Sequence, residues 1–188
     1  MNIDLSWDLF IVVFFVVIVA YSLIIGRDNT LKVILGTYVA ALAADAIGNL
    51  FGSQLAGSEI FVQVLKMLHL GTETDAVVFV KVLAFVAMVI LFAVKGAFYV
   101  ETTEDRSGVV KAILSCLYAA MSAGLIISVI LMFVSGISFV GISGSTGALF
   151  TEMYEESALV GSMVKNSFIW FAVPALSFLI HSFYSKKD

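Results

Sequence analysis

The chain has 188 residues, 61% of them hydrophobic and 13% charged, with a mean hydropathy of +1.09 and a formal net charge of −4. A soluble domain carries about 25% charged residues, so the composition excludes a water-soluble enzyme, and the lack of a basic tract excludes a nucleic-acid binder. One cysteine (Cys116) and two distant histidines (His69 and His181) leave no disulfide, zinc site or metal centre to expect, and no cofactor.

The apolar residues fall in five long blocks, roughly 5–25, 31–51, 76–99, 111–134 and 166–184. Blocks of that length predict transmembrane helices. The expected fold is an all-α integral membrane protein, one polytopic domain over 1–188.

Block 5–25 reaches about 30 Å at 1.5 Å per residue, the thickness of a bilayer core. Positions 1–10 carry two Asp and no Lys or Arg, unlike the basic start of a signal peptide, so the block reads as a retained anchor. Asp28-Asn29-Thr30 offers helix caps before the second block, Thr72-Glu73-Thr74-Asp75 before the third and Ser107 before the fourth. Pro174 lies within the last block and is expected to kink it unless neighbours satisfy the freed carbonyl.

Lys and Arg counts set the topology. With the N-terminus outside, Arg27, Lys32, Lys95, Arg106, Lys111, Lys186 and Lys187 fall inside, and Lys66, Lys81 and Lys165 outside. Seven against three favours N-out and C-in. If the last block does not span, the count becomes five against five.

Two segments between the blocks predict short amphipathic helices at the interface. In 58–70, Ile60, Phe61, Val64, Leu65 and Leu68 share one face and Glu59, Gln63, Lys66 and His69 the other. In 146–164, Glu152, Glu155 and Glu156 oppose Leu149, Phe150, Met153 and Val160, after a Gly/Ser-rich stretch at 141–147.

The second block carries small residues every four positions: Gly36, Ala40, Ala44, Gly48, Gly52 and Ala56. In lipid, helices associate by close backbone approach, which small residues permit. The ridge therefore serves packing within the chain, or assembly into a homo-oligomer or with other membrane subunits. Ala120, Gly124 and Ser128 repeat the theme in the fourth block, which makes the two helices candidate neighbours.

Asp45 lies in the same block one turn before Asn49, and an ionisable group inside a span is a functional hypothesis by default. It reads as a proton or cation site, with Asn49 and Tyr38 as company, or as a structural group paired with Lys81. A third reading is hydrolytic: Gly141-Ile142-Ser143-Gly144 has the GxSG form found around the nucleophile of rhomboid-type proteases, and His181 lies in the last block. The expected topology separates Ser143 from His181 by most of a bilayer, so no catalytic residue is assigned. His181 reads instead as an interface anchor, together with Trp170, Phe183, Tyr184, Lys186 and Lys187.

The apolar first helix leading through Gly26-Arg27-Asp28-Asn29-Thr30-Leu31-Lys32 into a small-residue second helix resembles the colicin V production family of small bacterial inner-membrane proteins. Glu156-Ser157-Ala158-Leu159, before the last block, echoes a Ser-containing amphipathic stretch of that family. Asp28 departs from it, since the family usually repeats Gly after the Arg. The resemblance implies a bacterial inner membrane and an association with toxin export or envelope integrity, and carries over no catalytic residue. The expected function is a non-enzymatic scaffold or subunit of an envelope complex, with a small channel or carrier around Asp45 as the alternative.

Overall fold

The computed structural model describes residues 7–55, 58, 73–96, 108–141 and 154–184. Its long elements are helices: α1 (Trp7–Ile25), α2 (Arg27–Leu55), α3 (Glu73–Lys95), α4 (Gly108–Val134), α5 (Ala158–Lys165) and α6 (Ser167–Tyr184). Among the described residues α1 to α4 are each long and apolar enough to span a bilayer, and α5 with α6 forms a fifth, broken candidate bent by 52°. The protein is thus an all-α protein with four to five membrane-spanning helices.

Burial is distributed as lipid solvation requires. Helix α4 is the centre, packed on α1, α2, α3 and α6, with 72% of its apolar window buried against 11% for α1 and for α3. Large apolar side chains such as Val16 and Ile24 on α1, and Leu91 and Val94 on α3, stay exposed. A continuous apolar surface of this kind is a liability in water and ordinary in hydrocarbon. The main core joins Leu31, Ile34 and Ala41 of α2, Phe85 of α3, and Leu125, Val129 and Phe133 of α4. A smaller cluster joins Ile11, Ile127, Leu131 and Val160.

The turn from α1 to α2 takes a single residue. Gly26 adopts φ +82°, a left-handed conformation that costs glycine little, and α2 starts at the next position. Asn29 and Thr30 consequently do not sit ahead of α2. Their side chains instead reach back to the last carbonyls of α1: Asn29 Nδ2 donates to Ile25 O at 2.9 Å, and Thr30 Oγ1 lies 2.9 Å from both Ser22 O and Gly26 O.

The small-residue ridge of α2 faces α3 of the same chain. A Cβ at position 36 would come within 2.7 Å of Phe92 Cβ, one at 52 within 3.0 Å of Val77 Cγ2, and one at 48 would overlap the Lys81 side chain. Ala40 and Ala44 are fully buried. Helices α2 and α4 are also neighbours, but Gly124 itself opens α4 to α6, where a Cβ would overlap the Trp170 ring. Ala120 is half-buried and Ser128 buried.

The described part of 146–164 is docked on the bundle. Ser157 caps α5 by accepting from Val160 N at 3.0 Å and donates to Asp8 Oδ1, which also accepts from Leu159 N at 3.2 Å. Val160 inserts among Ile11, Ile127 and Leu131, so α5 is tied to the start of α1. The break before α6 falls at Asn166, ahead of Pro174. On the proline's own turn, Phe171 O accepts the Tyr38 hydroxyl at 2.6 Å. The segment 58–70, apart from Ser58, lies outside the described residues, as do Ala56, Thr72, Ser107 and 146–153.

Candidate functional site

Helix α4 ends in a Schellman motif. Gly136 takes φ +80°, Gly136 N donates to Phe133 O at 3.0 Å and Ile137 N to Met132 O at 3.1 Å. This pairing satisfies carbonyls left open at a helix C-terminus and turns the chain sharply. The reversal carries Ser138, Phe139 and Val140 across to α2, where they meet Asp45.

Asp45 is fully buried, ten residues before the end of α2, or about 15 Å along the helix. Its Oδ2 accepts from Phe139 N at 2.6 Å, Val140 N at 2.8 Å and Ser138 Oγ at 2.8 Å. Its Oδ1 lies 2.6 Å from Lys81 Nζ, which reaches it from the third turn of α3. The Lys81 side chain is only 7% exposed, its stem running over Gly48 and its ammonium 6.0 Å from the Phe133 ring centroid. Glycine at 48 therefore makes the ion pair geometrically possible: any side chain there would fill the path Lys81 takes.

Ser138 is the hub on the loop side. Its hydroxyl donates to Asp45 while its oxygen accepts from Asn49 Nδ2 at 3.0 Å and Gly141 N at 2.9 Å. The centre unites two helices and a loop around one carboxylate, with the negative charge of Asp45 offset by Lys81. Burying a charge at membrane depth is tolerable only under such pairing.

The structure thus brings together Asp45, Asn49 and Lys81 among the residues singled out from the sequence. Tyr38 is elsewhere, bonded to the α6 backbone. Ser138 and the two loop N–H groups were not anticipated, although the Ser-Gly-Ile-Ser-Phe-Val-Gly run at 135–141 carries a signal. Two glycines bracketing a polar residue directly after a span mark a turn with donors to offer, and a buried carboxylate elsewhere needs them.

Chemically, the centre holds rather than reacts. Ser138 has its proton committed to Asp45 and its oxygen already accepting two hydrogen bonds, which leaves it a poor nucleophile. Ser143 lies outside the described residues, as does the side chain of His181. Among the described residues no group of His, Cys, Asp or Glu could hold a metal ion, and Cys116 is exposed on α4.

Fold and site together define a multi-pass helical membrane protein stapled internally by a buried ion pair. The chain matches no protein-family model, and comparison with curated proteins and with solved structures finds no match.

Proposed function

We propose that the protein is a non-enzymatic scaffold, or a subunit of an envelope or export-associated complex, in the bacterial inner membrane, related to the colicin V production family. The observation that carries the reading is the pairing of Asp45: three loop donors on Oδ2 and the Lys81 ammonium beside Oδ1, all from the same chain, converge on it. A carboxylate so occupied serves to fix a loop against two helices, a use suited to a rigid docking platform. The one-residue Gly26 turn, leading directly into Arg27 at the start of α2, fits the resemblance, from which Asp28 departs.

The test is the mass of the full-length protein extracted in a native-like membrane mimic, with bound proteins identified. A stable homo-oligomer or heterocomplex is expected. A monomer without partners would overturn the scaffold.

A second reading, a small carrier, is favoured by one observation. Among the described residues the Lys81 ammonium is ion-paired with Asp45 Oδ1, although it can donate three hydrogen bonds. Under that reading Asp45→Asn abolishes flux in reconstituted vesicles while the protein stays folded. Under the scaffold reading no Asp45-dependent flux is found.

A further inference from the structure

Helices α2 and α3 pack so closely that their register can be read from the glycines. Position 36 meets Phe92, position 48 meets Lys81 and position 52 meets Val77. Each step along α2 is matched by an opposite step along α3, which sets Lys32 level with Lys95 and Gly96, at the end where α2 begins and α3 stops.

On one side of this pair the seam opens into a groove of about 530 Å³. Val39 and Ala43 of α2 form one wall, and Met88, Leu91, Phe92 and Lys95 of α3 the other. At 3.6 residues per turn, Val39 and Ala43 each fall within about 20° of Lys32 on the helix surface. Lys32 therefore continues the α2 stripe as Lys95 completes that of α3. The stripe from Lys32 to Ala43 is about 16 Å long, close to one leaflet of the ~30 Å hydrocarbon core. The groove thus has an apolar body with the two lysines at a single end, Lys95 exposed and Lys32 half-buried. A lysine stem can lie along apolar surface while its charge reaches the headgroup layer, where basic side chains between spans recognise anionic headgroups.

We propose that this groove binds an anionic phospholipid, with one acyl chain along Val39, Ala43, Met88 and Leu91 and the phosphate held between Lys32 and Lys95. Two observations select that occupant. The groove's lining includes Lys95 and no acid, so its charged end calls for a negative group at headgroup depth. The lining also ends at Ala43 and Met88, so the groove serves one leaflet, whereas a partner helix crossing the bilayer would need a seat along its whole length.

For the test, the full-length protein is reconstituted in nanodiscs of equimolar phosphatidylglycerol and phosphatidylcholine and moved to mild detergent, and retained lipid is counted by native mass spectrometry. Phosphatidylglycerol should be retained about tenfold over phosphatidylcholine, in keeping with two lysines beside one headgroup. Equal retention of the two lipids by the unaltered protein overturns the proposal whether or not any variant folds. The double change Lys32→Gln and Lys95→Gln should abolish the preference. Lys111→Gln removes a cation from the first turn of α4, outside the groove, and should leave it unchanged. An equal loss in Lys111→Gln, or none in the double variant, would show attraction to basic residues at large and overturn the groove. Val39→Trp, at an exposed wall position, should lower phosphatidylglycerol retention about fivefold, and unchanged retention there also counts against it. A photoreactive side chain at position 91 should cross-link to lipid; cross-linking instead to a second copy or to another protein overturns the proposal.

Discussion

Replacing Asp45 with Asn keeps the shape of the side chain and removes its charge. The asparagine oxygen can accept from Lys81 or from the 138–140 loop, but its NH₂ then faces the other set of donors. On one side the Lys81 ammonium, 7% exposed, loses its counter-charge; on the other, Phe139 N, Val140 N and Ser138 Oγ lose their acceptor. Removing one partner of a buried pair costs about 3–5 kcal/mol, and orphaning a buried donor about 1–3 kcal/mol. An ordinary interhelical hydrogen bond in lipid contributes only about 0.6 kcal/mol, so a loss above 3 kcal/mol sets this site apart from ordinary interhelical bonding. Reversible unfolding in mixed micelles, followed by far-ultraviolet circular dichroism, reads the change. Lys81→Met and the double variant complete a cycle expected to show coupling above 1 kcal/mol. A folded Asp45→Asn protein within 0.5 kcal/mol of the parent would refute the staple.

Gly48→Leu should destabilise the monomer by at least about 1–3 kcal/mol through overpacking against Lys81. An altered complex mass with unchanged monomer stability would instead place the ridge between chains. Gly136→Ala should cost about 1–2 kcal/mol for a non-glycine residue in the left-handed region; because it acts through the same loop, its effect should be less than additive with Asp45→Asn in the same unfolding assay. Ser157→Ala removes the cap of α5 and its tie to Asp8, for a loss of about 1 kcal/mol. Proteolysis near 154–166 should speed up in that variant, and unchanged cleavage would contradict the docking of α5 on α1.

Helix placement was legible because lipid demands long apolar runs: the block at 111–134 lies within Gly108–Val134 and that at 5–25 agrees with Trp7–Ile25. The second helix proved longer than its block, since small and polar residues such as Gly52 and Ser53 dilute hydropathy while packing on α3 or ending the helix. The Asp45–Lys81 pairing could be foreseen because both residues sit at matching depth in adjacent blocks. For Ser138 the glycines at 136 and 141 marked only a turn; its contact with Asp45 depends on a backbone reversal at Gly136 that brings together residues 93 apart. The docking of α5 was hidden for a related reason. The amphipathic pattern of 146–164 suggests a surface helix, whereas Val160 finds its pocket between α1 and α4, far away in sequence.

The order of synthesis gives the loop after α4 a further role. Asp45 enters the membrane with α2 and meets Lys81 when α3 follows, yet Val140 is made 95 residues after Asp45. At about 5–20 residues per second, the carboxylate paired with Lys81 alone waits roughly 3–12 s for its remaining donors. During that interval Leu31, Ile34 and Phe85 also lack the α4 face that covers them. The nascent three-helix intermediate therefore lacks part of its core cover and part of its polar staple, and closure of the 138–140 loop supplies the latter.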